Sequence, residues 1–425
     1  MNKMVKGLKV RRDIHEILFR IYKYNINVNN RFVQNIISKH KEEDIRLINN
    51  VVLNSMRYHF HTKKIISRYV KKKLKDDENI LLISSVTQIV FLGFREYAVV
   101  NCSVEIAKYK NIYHGFINAV LKKISKDKDK LIKTTINYNE LPRWFKIQTK
   151  NLTDNERKLF IDSFFKEPNL HLVFKSKKEF DKFEEKIIKT SENSGFLQNK
   201  RKIEEIVSYR EGNWWVQDFS SSFPIRSIAK LHKYKKFLDM CAAPGGKSFQ
   251  ILSRNLNITL NDKSKARIKL MKNNLRRLKF NPRIINKNFE NLDSNIKFDF
   301  IILDAPCSSI GTIRKNPEIF FKSKEPKITE LVEIQSKMLK KASEIVELNG
   351  IILYMVCSFL YIETEHQIKD FLDKANSFRL EKFDVSTKIF EHTRLIKNSC
   401  ILTIPNYILD NTVDGYFAAL LKKVR

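Results

Sequence analysis

Residues 298–311 read F-D-F-I-I-L-D-A-P-C-S-S-I-G, and this stretch decides the fold of the second half of the chain. The apolar run at 300–303 is typical of a strand buried on both faces of a parallel sheet. Pro306 cannot continue the backbone hydrogen bonds of such a strand, so the strand ends before it. Asp304 and Cys307 are therefore predicted just beyond the carboxyl end of a buried strand, where open α/β sheets bind their ligands.

Strands and helices alternate on both sides of this stretch. Short apolar runs predict further strands at residues 236–239, 258–260, 283–285 and 351–356. Periodic apolar residues predict crossover helices at 266–278 and around 328–348, with Gly350 as the C-cap of the second helix. This alternation predicts an α/β domain with a doubly wound parallel sheet.

The first part of the chain, to about residue 130, has apolar residues at helical spacing and no strand-like alternation. Its most apolar segment, residues 80–93, predicts a central helix that is buried on most sides. Residues 125–130, S-K-D-K-D-K, are wholly polar and predict a linker. Beyond them, residues 170–174 predict a strand and residues 180–189 a helix. The predicted domains are an all-α domain at 1–130, a linker with a small α+β subdomain at 131–225 and an α/β domain at 226–425.

The charge of the chain is lopsided, with 80 Lys and Arg residues against 47 Asp and Glu residues and a net charge of +33. Such an excess favours a polyanionic partner, and RNA is the leading choice. A compositional bias that raises lysine content everywhere is the alternative explanation, and both can contribute. The basic patches at 63–75 accordingly fit either solvated helix faces or contacts with RNA phosphates, and the sequence leaves both open.

No apolar run is long enough to span a membrane, and the basic residues at the start of the chain are not followed by the apolar segment of a signal peptide. The five cysteines are an odd number, are widely spread and form no C-x-x-C pair, so we predict no metal site. Reduced thiols in a cytoplasmic protein are the simplest interpretation.

A second motif, A-P-G-G-K at residues 243–247, predicts a tight turn that lets the backbone approach a ligand, with a helix beginning behind it. Two glycines alone are weak evidence, but Asp262 ends the next predicted strand. An acid at that position can accept hydrogen bonds from both hydroxyls of a ribose. The earlier glycine that a phosphate-binding P-loop requires is missing. The site therefore suits a nucleoside without a phosphate tail.

Cys307 and Cys357 are 50 residues apart, and each follows an apolar run that predicts a buried strand. If the two strands are neighbours, they lie roughly 4.8 Å apart and both thiols can face one cleft. Two thiols with an acid suit methylation at C5 of a pyrimidine. A thiolate that adds at C6 makes C5 nucleophilic, an acid near N3 stabilises the adduct, and a base then removes the C5 proton so that the thiolate leaves. The alternative is two unrelated buried cysteines.

At these residues the chain resembles a known family. D-M-C-A-A-P-G-G-K, L-D-A-P-C-S-S-I-G and Y-M-V-C-S-F are similar to the signature motifs of RNA 5-methylcytosine methyltransferases of the NOL/NOP/Sun class, and Arg314, Asn316, Pro317 and the terminal D-G-Y-F fit as well. S-V-T-Q-I-V-F-L-G and G-F-I-N-A-V-L resemble the helical NusB-like RNA-binding domain. The combination resembles the RsmB/Sun family, bacterial methyltransferases of cytosine C5 in 16S small-subunit ribosomal RNA.

The resemblance implies a multidomain protein, with a NusB-like domain before a Rossmann-like class I methyltransferase domain. It implies Cys357 as the nucleophile, Cys307 as the residue that aids product release and Asp304 as the third catalytic group. It implies S-adenosylmethionine as the cofactor and small-subunit ribosomal RNA as the partner of a chain that we expect to be monomeric, with no membrane contact. The implied cofactor residues are Cys241, Ala242, Ala243, Pro244, Gly245, Gly246, Lys247, Asp262, Asn288 and Asp304.

Two positions depart from the family pattern. Val356 stands before the nucleophile where the family usually has Thr, which removes a hydroxyl near the thiolate. Asn288 stands where an Asp contacts the adenine, so an acceptor oxygen remains but the charge is lost.

Other functions remain open. The substrate can be transfer RNA or another RNA instead of ribosomal RNA. DNA cytosine methylation uses similar chemistry, with the nucleophile in the Pro-Cys motif, but the second strand-end thiol and the NusB-like half argue against it. A non-catalytic RNA-binding assembly factor needs none of Asp304, Cys307 and Cys357.

Overall fold

The computed structural model describes residues 7–199, 201–385, 393–396 and 399–425. Residues 1–6, at the start of the chain, lie outside the described residues, so the prediction that no signal peptide is present there stays a prediction. The chain forms two compact units, of which one comprises Met1–Ile147 with Asn316–Pro326 and the other Gln148–Lys315 with Lys327–Arg425. The division into three domains, at 1–130, 131–225 and 226–425, stays a prediction.

The first unit is helical, and the second combines helices with strands. The α-helices are α1 (Leu8–Tyr24), α2 (Arg31–Ile37), α3 (Glu42–Arg57), α4 (His59–Tyr69), α5 (Asp76–Val86), α6 (Glu96–Tyr109), α7 (His114–Leu131), α8 (Arg143–Gln148), α9 (Asp154–Ser163), α10 (Lys177–Asp181), α11 (Phe219–Arg226), α12 (Gly246–Leu252), α13 (Lys265–Arg277), α14 (Glu318–Phe321), α15 (Ile328–Ile345) and α16 (Glu365–Lys374). The strands are β1 (Leu170–Phe174), β2 (Ile187–Ser191), β3 (Ser194–Leu197), β4 (Trp214–Val216), β5 (Phe237–Asp239), β6 (Ile258–Asn261), β7 (Ile284–Ile285), β8 (Phe298–Asp304), β9 (Val346–Val356), β10 (Phe378–Glu381), β11 (Thr393–Ile396), β12 (Cys400–Thr403), β13 (Asn406–Ile408), β14 (Asn411–Val413) and β15 (Tyr416–Lys423).

The helices of the first unit pack apolar stripes into one core, which confirms the predicted helical region. The helix predicted at 80–93 is α5 followed by a π-helical turn, Thr87–Phe91, and its apolar side chains are almost all buried. The linker predicted at 125–130 is wrong, because these residues form the last turns of α7. Buried Ile124 and Leu131 flank the polar stretch, and helical backbone lets both reach the core.

A small antiparallel sheet with the order β2-β3-β1-β4 belongs to the second unit. The strand predicted at 170–174 is β1. The helix predicted at 180–189 is wrong: α10 ends at Asp181, and β2 then pairs with β3 as a hairpin. The β-branched residues Ile187 and Ile188 favour this strand, because they pack well on a pleated surface.

The large sheet has the order β11-β12-β15-β9-β8-β5-β6-β7, and β10 also pairs with β15. The strands from β9 to β7 in this order are parallel, and β15 runs antiparallel to β9. The α/β fold is confirmed, whereas the prediction of a wholly parallel sheet needs correction, because the sheet is mixed. The parallel strands β5, β6 and β8 correspond to predicted strands and are joined through α12 and α13.

Gly350 does not cap α15, as the sequence predicts, but lies inside β9. The strand begins directly after the helix, and Asn349 takes the positive φ of 62°. A Cβ atom on Gly350 would lie 3.0 Å from the backbone oxygen of Asp299 and 2.9 Å from that of Glu347. Gly350 therefore allows the backbones of β9 and β8 to approach closely, and it does not end a helix.

The register of the parallel strands places the functional motifs at one edge. Asp304 of β8 pairs with Met355 of β9, and Asp239 of β5 pairs with Ile302. The carboxyl ends of β5, β8 and β9 therefore lie side by side at the same edge of the sheet. Cys307 and Cys357 follow the neighbouring strands β8 and β9, which is the condition under which the sequence allows both thiols to face one cleft.

Candidate active site

A cavity of about 320 Å³ lies at the carboxyl ends of β5, β6, β8 and β9. Six of the predicted site residues line it: Cys241, Asp262, Asn288, Asp304, Cys307 and Cys357. Further lining residues that the sequence did not single out include Lys263, Arg267, Lys287, Phe289 and Ser309. The remaining predicted residues do not line the cavity; they form the turn before α12, at Ala242, Ala243, Pro244 and Gly245, and the start of α12, at Gly246 and Lys247.

The glycine turn between β5 and α12 is held by local geometry. Gly245 has φ 117°, and a Cβ there would lie 2.1 Å from Cζ of Phe249, so only glycine fits. Asp239, at the end of β5, accepts hydrogen bonds from Ser248 Oγ at 2.6 Å and from the Cys241 amide at 3.3 Å. Burial raises the pKa of Asp239 to about 7. The turn is thus tied to the strand that precedes it.

Asp262 follows β6, as the sequence predicts, and its carboxylate is oriented by three neighbours. Oδ1 accepts from the Ser264 amide at 2.9 Å and Oδ2 from the Ala243 amide at 3.3 Å, while Nη1 of Arg267 lies 3.3 Å from Oδ2. The side chain is almost fully buried, yet it lines the cavity. Asn288 is exposed beside it and donates from Nδ2 to Glu290 at 2.8 Å.

The two thiols are in direct contact, with 3.3 Å between Sγ of Cys307 and Sγ of Cys357. Oγ of Ser309 lies 3.4 Å from Sγ of Cys357. The hydrogen bond from Cys307 lowers the pKa of Cys357, and Ser309 and the Lys247 ammonium act in the same direction against burial and Asp304. The same hydrogen bond, together with burial, raises the pKa of Cys307. The two pKa directions therefore differ, with that of Cys357 lowered and that of Cys307 raised.

Asp304 has both carboxylate oxygens engaged. Lys247 donates from Nζ to Oδ2 at 2.5 Å, and the Tyr416 hydroxyl donates to Oδ1 at 2.8 Å. Burial lowers the pKa of the Lys247 ammonium, but the charge of Asp304 and its hydrogen bond outweigh burial. The pKa of Lys247 therefore lies above its ordinary value. Lys247, predicted only as part of the cofactor turn, thus reaches the catalytic strand end. Tyr416 lies in the D-G-Y-F motif, but the sequence assigned it no role, because its contact depends on the pairing of β15 with β9.

The other motif residues hold the loop that carries Cys307. The buried Arg314 donates from Nη2 to Asp414 at 2.8 Å, and Lys315 donates to Asp414 at 2.5 Å and to Asp218 at 2.8 Å. A Cβ on Gly311 would lie 1.9 Å from the backbone oxygen of Gly415, so glycine is required for this crossing. None of these residues lines the cavity, and neither do Asn316 and Pro317.

Comparison with family models and curated relatives agrees with these motifs. Residues 227–422 match the model of the 16S rRNA methyltransferase RsmB/F family, and residues 9–126 match the NusB family. The ribosomal RNA small subunit methyltransferase B of Pasteurella multocida is 25% identical over 409 residues, which cover 90% of this chain and 89% of that protein. The protein of the same name from Shewanella oneidensis is 28% identical over 361 residues, which cover 80% of this chain and 84% of that protein.

Two solved structures share the fold. The crystal structure of PH0851 has a TM-score of 0.70 at 20% identity and covers 98% of this chain and 99% of its own. The structure of NSun6 from Pyrococcus horikoshii with SFG has a TM-score of 0.56 at 19% identity and covers 67% of this chain and 99% of its own. Among the described residues, no helix combines the length and apolarity needed to cross a membrane. Residues 227–422 therefore match the RsmB/F family of 16S rRNA methyltransferases, and residues 9–126 match the NusB family, as the sequence motifs predict.

Proposed function

We propose that this chain transfers a methyl group from S-adenosylmethionine to C5 of a cytosine in 16S small-subunit ribosomal RNA. The observation that carries the proposal is the 3.3 Å contact between Sγ of Cys307 and Sγ of Cys357 beside Asp304. One thiol can attack C6 while the other takes part in the later proton transfer. The names of the curated relatives support ribosomal RNA as the substrate.

Cys357 is the group that we assign to the attack. Its thiolate adds to C6 of cytosine and forms a carbon–sulfur bond, which raises the electron density at C5. Asp304, held in place by Lys247 and Tyr416, is the acid that we propose lies near N3, where its carboxylate accepts a hydrogen bond from the adduct and stabilises it. The Val356 departure leaves this assignment unchanged, because the Ser309 hydroxyl lies 3.4 Å from the sulfur and a hydroxyl is therefore still present there.

Cys307 is assigned to the last stage. It touches Cys357, and its raised pKa keeps its proton in place while Cys357 attacks. Once the methyl group is on C5, a base takes the proton from that carbon, the electrons of the C–H bond re-form the C5–C6 double bond, and the Cys357–C6 bond breaks so that Cys357 leaves as a thiolate. Cys307 is the residue that we propose aids this release.

The cavity fits a nucleoside cofactor. When bound, S-adenosylmethionine supplies an electrophilic methyl group on a sulfonium. Asp262 and Asn288 line the cavity, and we propose that Asp262 accepts hydrogen bonds from the ribose hydroxyls while the acceptor oxygen of Asn288 faces the adenine. The turn at 241–247, whose Cys241 lines the cavity, and Asp304 complete the proposed binding set. A structural relative crystallised with SFG, an analogue of S-adenosylmethionine, supports this use of the fold.

The partners and setting are proposed with the activity. The excess of positive charge supports an RNA partner, and the cysteines of the described residues, none of which forms a disulfide, fit the reducing, cytoplasmic setting that we propose. We propose that the chain acts as a monomer.

The test is transfer of tritium from methyl-labelled S-adenosylmethionine to four substrates: small-subunit ribosomal RNA, large-subunit ribosomal RNA, transfer RNA and DNA. We expect label in the small-subunit RNA and a 5-methylcytosine that maps to one position. Cys357→Ala serves as the inactive control. Label in transfer RNA or DNA alone would replace the proposed substrate. RNA binding without any transfer would support the non-catalytic assembly factor instead.

A further inference from the structure

Glu363 is a fully buried acid that follows β9, and its carboxylate accepts hydrogen bonds from both thiol-bearing loops. Oε1 accepts from the Ser308 amide at 2.8 Å and from Nε2 of Gln335 at 3.1 Å. Oε2 accepts from the Ser308 hydroxyl at 2.6 Å and from the Ser358 hydroxyl at 2.5 Å. The two amide groups at Oε1 can only donate, and a carboxylate can accept all four of these hydrogen bonds.

The donors tie Glu363 to the two cysteines through their immediate neighbours. Ser308 follows Cys307 in the chain, and Ser358 follows Cys357. One carboxylate therefore fixes the two loops relative to each other behind the pair of sulfur atoms. Its own position is fixed in turn, because the Tyr354 hydroxyl donates to the backbone oxygen of Glu363 at 2.9 Å and lies 3.1 Å from Oε1 of Gln335.

The charge of Glu363 acts unequally on the two thiols. Two of its hydrogen bonds go to Ser308, on the Cys307 side, and only one goes to Ser358. A buried negative charge opposes ionisation of a neighbouring thiol, and the loop that Glu363 holds with two hydrogen bonds is the loop of Cys307. In agreement, Glu363 is among the groups that raise the pKa of Cys307, after the hydrogen bond to Cys357 and burial.

The other charged and titratable groups around the two thiols also differ between Cys307 and Cys357. Asp304 and Lys247 face Cys357 with opposite charges, and they are themselves paired at 2.5 Å. Tyr354 and Tyr416 are buried, and burial raises the pKa of each hydroxyl, so neither carries a charge near neutral pH. Glu363 is thus the charged group that distinguishes the Cys307 side of the pair.

We infer that Glu363 is a positioning residue that holds the loops of Cys307 and Cys357 together and keeps the proton on Cys307, so that Cys357 is the thiolate that attacks. The inference deepens the proposed function and rests on it for the meaning of the attack. Glu363 is fully buried and does not line the cavity, so it acts through the thiols and not on the substrate.

The experiment measures the initial alkylation rates of the two thiols by iodoacetamide, in the full chain without RNA, over a series of pH values. Mass spectrometry of the two cysteine peptides separates the rates. We expect Cys357 to react about tenfold faster than Cys307 near neutral pH, the ratio that one pKa unit produces. A wild-type protein in which Cys307 reacts faster would overturn the inference, and this outcome requires no variant.

Glu363→Gln keeps the size of the side chain and removes its charge. We expect the Cys357:Cys307 rate ratio to fall by about tenfold, because the proton is no longer held on one side. Glu363→Asp keeps the charge and should leave Cys357 the faster thiol, which also provides a test should Glu363→Gln not fold. Glu365→Gln, two residues away, is the matched control and should leave the ratio unchanged. A folded Glu363→Gln protein with the wild-type ratio would contradict the inference.

Methyl transfer gives a separate readout. We expect Glu363→Gln to lower kcat about tenfold or more and to leave KM for RNA unchanged, because the residue does not touch the substrate. An equal loss through KM would indicate a general loosening of the site and would count against the positioning role. If the wild-type protein transfers no methyl group to RNA, the proposed function fails, whereas the alkylation ratio still tests Glu363.

Discussion

Nζ of Lys247 lies 2.5 Å from Oδ2 of Asp304, so a lysine of the glycine turn after β5 is paired with the acid that ends β8. The pair joins the segment that we propose binds the cofactor to the strand end that precedes Cys307. Lys247 is also one of the groups that lower the pKa of Cys357. One ammonium therefore acts on two of the proposed catalytic groups, which a cofactor-binding role alone would not require.

Lys247→Met should weaken catalysis in a pH-dependent manner. Loss of the ammonium raises the pKa of Cys357, so the thiolate fraction at a given pH falls and the acid limb of the pH–rate profile moves to higher pH. The measurement is kcat/KM for methyl transfer as a function of pH. Lys265→Met, an exposed lysine of α13, should keep the wild-type profile. A uniform loss at all pH values would show that Lys247 does not act on the thiol.

Variants of the two thiols should separate their roles. Cys357→Ala should abolish methyl transfer and form no covalent complex with RNA. Cys307→Ala should still attack and methylate, but should release slowly, so a denaturant-resistant protein–RNA complex that depends on S-adenosylmethionine should appear on a denaturing gel.

The double variant is the control for this experiment and should form no such complex. A complex in Cys357→Ala with none in Cys307→Ala would reverse the assignment and favour the Pro-Cys arrangement of DNA enzymes. If neither single variant forms a complex and both lose only stability, the two cysteines are structural.

Asp262→Ala should weaken cofactor binding. The ribose hydroxyls would lose a charged acceptor, a hydrogen bond worth about 1.5–3 kcal/mol, which corresponds to about 10- to 100-fold in Kd. Titration calorimetry with S-adenosylmethionine measures the change, with the exposed Asp293→Ala as the control. Asn288→Asp should bind equally well or slightly better. Unchanged binding by Asp262→Ala would show that the ribose lies elsewhere.

RNA affinity should fall steeply with salt. With a net charge of +33, phosphate contacts release counterions, and about six to ten such contacts would cost about 10³ to 10⁵ in affinity between 50 and 200 mM salt. Replacing Lys71 and Lys73 with Glu should reduce the slope if the basic patch of the first unit contacts RNA. The same change at the exposed Lys177 and Lys178 of α10 is the matched control. An affinity independent of salt would contradict an electrostatic contribution.

Mild acid should destabilise the second unit through His171. Its Nδ1 lies 2.7 Å from the Gln217 backbone oxygen and its Nε2 lies 2.8 Å from Thr190 Oγ1, and burial lowers its pKa to about 3. The unfolded chain binds a proton at this residue below pH ~6.5, so the free energy of unfolding falls as pH falls, by about 2 kcal/mol at pH 5. Denaturant titrations at two pH values measure the difference. His171→Gln should remove this part of the pH dependence, and the exposed His232→Gln should not.

The local sequence determined the main elements of the fold. Continuous apolar runs predicted β8 and β9, because such runs can be buried on both faces, and a proline or a polar residue marked where each ended. The same reasoning placed both thiols and Asp304 at strand ends. Polar composition was misleading at 125–130, where helical backbone is favoured by the apolar residues on either side and not by the stretch itself.

The tertiary structure alone decided which side chains meet across the site. Tyr416 reaches Asp304 because β15 pairs antiparallel with β9, and Glu363 joins Ser308 to Ser358 across loops 50 residues apart. Neither contact leaves a periodic signal in the sequence. A side chain is buried in the core when it is apolar and lies on the inward face of its helix or strand. The spacing of apolar residues in the sequence therefore predicts which side chains are buried. A hydrogen bond requires two atoms within about 3 Å, and that distance is set by strand order and register, which form only when distant segments pair.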